Sequence, residues 1–107
     1  MTLAELKTAL SSLTGIPSVY GYFPKGQKPP YIAYQAEDAQ TIAADGLVVV
    51  QIANVILTLV TQHRDTTKET QIADLLTSNG VDYGEPDYEF DETEKIHKTT
   101  YNFQTID

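Results

Sequence analysis

The stretch LVVVQIANVILTLVTQ, residues 47–62, decides the fold. Its β-branched and aliphatic residues suit a pleated, packed surface, so we predict a central strand. Sixteen residues at about 3.3 Å each would span roughly 50 Å, which exceeds the usual strand length. The apolar alternation moves from even to odd positions near Ala53 and Asn54, which predicts a β-bulge there. Two strands joined tightly at the same place are the alternative.

A helix is predicted just after this strand, within TTKETQIADLLTSNG at residues 66–80. Three apolar residues fall on one face at helical spacing: Ile72, Leu75 and Leu76. Thr66 with Glu69 has the pattern of a capping box, and Gly80 stands where a left-handed C-cap is needed. The expected helix covers residues 67–79, and burial of its apolar face on the sheet decides its stability.

A second amphipathic helix is predicted over residues 3–12. Its leucines recur at spacings of three and four: Leu3, Leu6, Leu10 and Leu13. Thr2 and Glu5 form another capping box, while Gly15 and Pro17 end the helix. We expect it to cover the sheet of its own domain, and docking on a partner is the alternative.

The remaining segments predict shorter strands and two loops. Residues 16–30 predict a short strand and a turn-rich loop, residues 31–35 a strand, and residues 36–46 a long loop. After Gly80 the alternation predicts a terminal hairpin, with Tyr88 and Phe90 facing Tyr101 and Phe103. The expected fold is a single α+β domain, residues 1–107, with an antiparallel sheet of about four to five strands and both helices packed on one face.

The charge of the chain is strongly acidic. Fifteen acidic residues against seven lysines and arginines give a net charge of -8, and residues 37–94 hold thirteen acids against two bases. Such a surface repels phosphate, so we expect no specific nucleic-acid binding. The absence of cysteine excludes disulfides, thiolate metal sites and cysteine nucleophiles. No apolar run is long enough for a membrane span, so we expect a cytosolic protein or one assembled into a particle there.

Two stretches invite a chemical interpretation. The acidic residues 82–94 resemble a calcium loop in their alternation, but Glu92 occupies the position that requires glycine. His63, Arg64 and Asp65 form a tripeptide found in kinase catalytic loops, but the other kinase motifs are absent. We interpret it structurally, with Asp65 or Thr66 capping the following helix and Arg64 pairing with a neighbouring acid. No catalytic residue, metal ligand or cofactor is predicted, and the protein is not expected to be an enzyme.

A family resemblance adds to this interpretation. Five features carry it: an ELKTAL helix, the segment VYGYFPKGQKPPYIAYQ, an acidic stretch ending in ADG, the strand NVILTLVTQHRD with its helix ETQIADLLTSNG, and the closing DYEFDETEKIHKTTYNFQTI. Over nearly its whole length the chain resembles the tail terminator, or tail completion, proteins of long-tailed bacteriophages.

The resemblance implies a structural role in the virion tail. It implies a homo-hexameric ring that closes the head-proximal end of the tail tube and stops its polymerisation. The implied partners are further copies of the chain, the major tail tube protein and the head completion (stopper) protein. DNA would pass through the lumen without specific binding. Assembly would take place in the host cytoplasm, with no cofactor and no membrane.

Two groups of residues are predicted to serve such a ring. The lumen- or tube-facing loop would carry Glu37, Asp38 and Asp45. The ring or partner interface would carry Tyr20, Tyr22, Lys25, Lys28, Tyr31 and Tyr34, since tyrosine is favoured at interfaces. The alternative for these tyrosines is packing inside one subunit. Alternative functions are another head-tail neck or connector component, or an acidic DNA-mimicking regulatory module that uses the acids of residues 82–94.

Overall fold

The computed structural model describes residues 2–13, 16–21, 28–44 and 48–106, with side chains described outside residues 38–51. Two helices and five strands follow in the order α1 (Leu3–Ser11), β1 (Ser18–Tyr20), β2 (Tyr31–Ala44), β3 (Val48–Thr61), α2 (Thr66–Ser78), β4 (Asp87–Asp91) and β5 (Ile96–Ile106). The predicted α+β class is confirmed. None of the helices within these residues is long and apolar enough to cross a membrane.

The sheet has the strand order β1-β2-β3-β5-β4, with β3 at its centre as predicted. The pairs β2–β3, β3–β5 and β4–β5 are antiparallel, but β1 pairs with β2 in parallel. The sheet is therefore mixed, which corrects the prediction of a purely antiparallel sheet. Ten residues separate β1 from β2, more than a tight hairpin uses, so the chain can begin β2 at the end where β1 began.

Both helices pack on the same face of the sheet, as predicted. One continuous core joins α1, β2, β3, α2 and β5, and its buried residues are Leu6, Leu10, Ile16, Ile32, Tyr34, Val55, Leu57, Leu59, Ile72, Leu76, Tyr101 and Phe103. The odd positions of β3 supply the sheet side of this core. Burial of each large aliphatic side chain contributes roughly 1.5–3 kcal/mol, which outweighs the propensity differences among these residues.

The predicted loop at residues 36–46 is wrong, because β2 continues as a strand to Ala44. Its small and acidic residues have low strand propensity, but pairing with β3 overrides that preference. The predicted bulge at Ala53 and Asn54 is also misplaced. The register of β2 against β3 shifts between Asp38 and Gln40, opposite Ala53, so the extra residue lies in β2. β3 itself has no inserted residue, so the change in its apolar alternation did not mark a bulge in that strand.

The far ends of β2 and β3 form a two-stranded arm. The pairing of β3 with β5 ends at Ile52 and Ile106. Beyond that row, β2 residues up to Ala44 pair with β3 residues down to Val48. Within the described residues the arm therefore has no third strand beside it. The described chain extends 51 Å along its longest axis and only 25 and 23 Å along the others.

The helix ends follow local rules, with one correction. Thr2 caps α1 and accepts the N–H of Glu5. Asp65, and not Thr66, caps α2, because its carboxylate accepts the N–H of Lys68 at 3.1 Å and the Lys68 ammonium at 2.8 Å. One carboxylate oxygen accepts the backbone N–H and the other accepts the ammonium, and the negative charge strengthens both contacts. Gly15 lies outside the described residues.

The terminal hairpin is confirmed, but its cross-strand partners differ from the prediction. Tyr88 lies opposite Thr99 and Phe90 opposite His97, and neither aromatic faces Tyr101. The turn sets this register. The Asp91 carboxylate accepts the N–H groups of residues 93 and 94 and so closes the turn.

Candidate functional site

The β1 edge of the sheet presents an aromatic side chain. Tyr20 is 57% exposed and meets the buried Tyr34 edge-on, with ring centroids 5.3 Å apart. Its hydroxyl donates to the Ala36 carbonyl at 3.4 Å. A shallow groove of about 490 Å³ runs between this edge and α1, lined by Leu3, Ala4, Lys7, Tyr20 and Tyr34. The sequence-predicted interface residue Tyr20 is therefore on the surface.

Two other predicted interface tyrosines are buried within the chain itself. Tyr34 is 4% exposed in the main core, and Tyr31 is 6% exposed in a smaller core on the opposite face of the sheet. Burial raises the pKa of both phenols. Tyr31 and Tyr34 therefore pack inside one subunit, which is the alternative that the sequence left open, and the interface prediction is wrong for these two residues. Adjacent strand positions alternate in face, and both faces of β2 are covered at this end.

The first third of the chain is basic, and Lys7 lies beside Tyr20 of β1. Residues 1–35 contain one acid and three bases, which are Lys7, Lys25 and Lys28. Lys7 and Lys28 are exposed. Tyr22 and Lys25, also predicted for the interface, lie outside the described residues. We call β1 together with Lys7 and Lys28 the basic edge.

Two of the residues predicted for a lumen-facing loop lie in β2, just before the arm begins. Glu37 is an exposed residue of β2, and Asp38 follows it on the same strand. Both lie on a strand and not in a loop, which corrects their placement. Asp45 falls between β2 and β3, outside the described residues. Their assignment to a lumen stays a prediction.

The opposite edge of the sheet, at β4, is acidic. Residues 82–92 carry six acids and no base. Asp82, Glu85, Asp87 and Glu89 are exposed, whereas Asp91 pairs with Lys98 at 3.6 Å. The N–H donated to Asp91 by Glu94 lowers the pKa of that carboxyl. We call β4 together with its preceding acids the acidic edge.

An exposed aromatic cluster accompanies the acidic edge on the helix-covered face. Tyr88 is 42% and Phe90 45% exposed, and both rings contact His97, with centroid distances of 5.7 and 4.8 Å. The Tyr88 hydroxyl also contacts Nδ1 of His97. The Arg64 guanidinium lies 4.1 Å above the Tyr88 ring. The sequence analysis did not predict this cluster, because its members are distant in the sequence and only the tertiary structure brings them together.

Glu69 joins this cluster to α2. Its carboxylate lies 3.5 Å from Arg64 Nε and accepts the Thr99 hydroxyl at 3.1 Å. Its backbone carbonyl accepts the Tyr101 hydroxyl at 3.1 Å. The structural interpretation of the His63–Asp65 tripeptide is thus confirmed for two residues, since Arg64 pairs with an acid and Asp65 caps the helix.

The surfaces described above are aromatic or charged. In the described part of the chain, no group of three or more histidines, aspartates and glutamates is placed to hold a metal ion. What the geometry does offer is an exposed aromatic cluster, two unpaired sheet edges and an extended arm. Aromatic residues are enriched at protein interfaces, and unpaired strand edges can add a further strand.

Comparison with known proteins adds no relative. No protein-family model matches the sequence, and no curated protein matches it.

Proposed function

We propose that this chain is a structural protein of a bacteriophage tail, a tail terminator that forms a ring on the head-proximal end of the tail tube. The arm of β2 and β3 carries the proposal. The two strands pair with each other from Ala44 and Val48 back to the row of Gln40 and Ile52, where the last residue of β5, Ile106, also pairs. A two-stranded ribbon that projects from a small domain needs a further surface to pack against.

The physical argument concerns the stability of the arm. A two-stranded ribbon is marginally stable in water, and three strands or a packed face are normally required. The arm sequence includes Ile42 and the run Val48, Val49 and Val50. Exposed apolar strands invite association, so proteins keep such strands covered. Contact with neighbouring ring subunits or with the tail tube would cover this one.

The charge of the chain suits a ring through which DNA moves. Thirteen acids against two bases between residues 37 and 94 produce a surface that repels phosphate. A lumen of that sign would let DNA pass without retaining it. In this proposal the chain performs no reaction and uses no cofactor. Its partners are its own copies, the major tail tube protein and the head completion protein.

Electron microscopy of particles made without the protein tests the proposal. If the protein stops tube polymerisation, its removal gives overlong tails that lack heads, and supply of the wild-type chain restores normal length. Tails of normal length joined to heads would contradict the proposal. Tails of normal length without heads would instead indicate a neck or connector component, which joins tail to head but does not set length.

One observation favours a second candidate function. The exposed acids Asp82, Glu85, Asp87 and Glu89 lie along one edge, as the charges of a DNA-mimicking regulatory protein would. Mass measurement in solution separates the two. Rings, or oligomers that grow with concentration, support the terminator. A strict monomer that binds a DNA-binding protein tightly supports the mimic.

A further inference from the structure

We propose that copies of this chain associate head to tail through their sheet edges, with the acidic edge at β4 of one copy against the basic edge at β1 of the next. The inference rests on the proposed ring, because it identifies the surface through which that ring would close. Within the described residues, β1 and β4 are the two outer strands of the sheet. Each leaves one row of backbone N–H and C=O groups without a neighbouring strand.

The two edge strands occupy the same position along the strand direction, because the same rows of paired residues cross the sheet from β1 to β4. One row runs from Ser18 through Ile32, Leu59 and Thr99 to Tyr88. A second copy placed beside the first therefore brings its β1 level with β4 of the first, without sliding along the strands. The next row joins Val19 to Asp87 in the same way.

The strand directions suit this contact. β1 runs parallel to β2, and each of the three following pairs is antiparallel. β4 consequently runs opposite to β1. Side-by-side copies in the same orientation would pair β4 and β1 antiparallel, which is the slightly more stable arrangement.

The charges of the two edges are complementary. The acidic edge presents Asp87 and Glu89, with Asp82 and Glu85 just before the strand. The basic edge presents Lys7 and Lys28. Two copies with net charge -8 repel each other at most orientations, and this approach brings opposite signs together. Complementary charge therefore selects this contact over others.

The aromatic residues of the acidic edge also match a groove on the basic edge. Tyr88 and Phe90 lie on the helix-covered face, in register with Thr99 and His97. On the same face of the basic edge, a shallow groove of about 510 Å³ is lined by Ser11, Leu13, Ile16, Pro17 and Ser18. Since Ser18 and Tyr88 share a row, the aromatic side chains of one copy would face this groove of the next.

The contact joins two different surfaces, so it can repeat. Such heterologous contacts give closed rings when the rotation between copies matches a symmetry and open filaments when it does not. The right-handed twist of strands rotates each added copy relative to the last. If that rotation closes, this edge contact forms a ring without a second type of interface.

Cysteine cross-linking tests the inference, because the chain contains no cysteine. The double variant Val19→Cys/Asp87→Cys places one thiol on each edge in the same row. Antiparallel neighbours bring Cα atoms within the roughly 4.4–6.8 Å that a disulfide requires. Under mild oxidation we expect a series of covalently linked multimers. The number of copies in the largest multimer gives the number of subunits in the ring. An equimolar mixture of the two single variants should give dimers only.

The control pair is Val19→Cys/Asp74→Cys, with the second thiol on the exposed face of α2. Covalent multimers from both double-cysteine variants, or from neither, would overturn the inference. Thermal unfolding of each reduced variant, compared with wild type, shows that the fold is kept.

A series of charge-reversal variants tests the same contact independently. Glu89→Lys lowers the magnitude of the net charge, so general repulsion alone predicts stronger association. We expect weaker association instead, by about threefold, because a surface ion pair contributes up to about 1 kcal/mol. Lys7→Glu should act in the same direction, because it removes a positive charge from the basic edge. Asp74→Lys changes the net charge equally and should not weaken association. Equal effects of Glu89→Lys and Asp74→Lys would contradict the proposed contact.

The outcomes separate this inference from the proposed function. If tails lengthen without the protein but neither the cross-linking nor the charge series gives the expected result, the terminator role stands and the edge contact is wrong. If the covalent multimers form but tails are normal without the protein, the contact stands and the terminator role is wrong.

Discussion

At the scale of single residues, Tyr101 ties the sheet to α2. It is fully buried, and its hydroxyl donates to the Glu69 carbonyl at 3.1 Å. Burial, with the nearby Glu69 and Tyr83 as smaller causes, raises the pKa of this phenol to about 12. The unfolded chain releases the same proton near the ordinary value of 10.0. Folding is therefore linked to pH in the alkaline range.

The Tyr101→Phe variant isolates this linkage. At neutral pH we expect it to lower the free energy of unfolding by about 1 kcal/mol, the usual contribution of one hydrogen bond. Because the folded-state pKa is raised, the contribution of the phenol is intact below pH 10 and is lost as pH rises towards 12. The variant lacks this loss, which is about 1.4 kcal/mol at pH 11 and about 3 kcal/mol above pH 12.

Urea unfolding of both proteins from pH 7 to pH 11 measures the effect. The difference in unfolding free energy should shrink above pH 10 and then reverse. The raised pKa values of Tyr31 and Tyr34 affect both proteins equally and cancel in the comparison. A difference that does not change with pH would contradict the assignment.

At the scale of elements, α2 ends in a motif that needs a left-handed residue. Gly80 has φ of 72°, and its N–H donates to Thr77 O while the N–H of Val81 donates to Leu76 O. These two bonds satisfy carbonyls at the end of the helix, and Val81 packs on the core. The left-handed conformation thus turns the chain from the helix towards β4.

Gly80→Ala should destabilise the protein by about 1 kcal/mol, since an L residue is strained at positive φ. An added Cβ meets nothing within 4 Å at this position, so the cost comes from the backbone alone. Gly80→Asn is the matched variant and should cost less, because asparagine tolerates this conformation. Thermal unfolding of the three proteins gives the order, and equal stability of the Ala and Asn variants would contradict it.

The arm is the second element whose role can be tested by itself. Replacement of residues 39–52 by an Asn-Gly turn would join Asp38 to Ala53, which already pair. The core residues found among the described side chains lie outside the replaced segment, so we expect the shortened chain to fold with little change in melting temperature. In the complementation experiment it should fail to restore normal tail length. Normal tails with the shortened chain would show that the arm is not the functional contact.

At the scale of the whole molecule, the charge is divided across the sheet. The first 35 residues carry an excess of two positive charges, and residues 82–92 carry six negative charges. The outer strands of the described sheet come from these two segments, since the sheet begins with β1 and ends with β4. The chain is therefore electrostatically asymmetric along the direction in which copies would add.

Salt should weaken the association of copies if opposite edges attract. Raising the ionic strength from about 0.01 M to 1 M shortens the screening length from about 30 to 3 Å. Sedimentation across this range should show smaller assemblies as salt increases. Larger assemblies at high salt would mean that the repulsion between acidic copies dominates, and would contradict attraction between the edges.

The sequence by itself determined the elements whose signals are local. The leucine spacing predicted α1, the change of period after Arg64 predicted α2, and Thr2 and Gly80 marked helix ends correctly, because caps and periodicity depend on residues within one or two turns. The long apolar run predicted a central strand. The two helices on one face followed from these patterns, since each has one apolar face to bury.

Only the tertiary structure decided what depends on pairing between distant segments. Strand register turned the predicted loop at residues 36–46 into a strand, buried Tyr31 and Tyr34 on opposite faces, and placed Tyr88 beside His97 under Arg64. It also set Ser18 and Tyr88 in one row at opposite edges. A one-residue change in register would move every side chain of a strand to the other face, and local residue preferences are too weak to fix that choice.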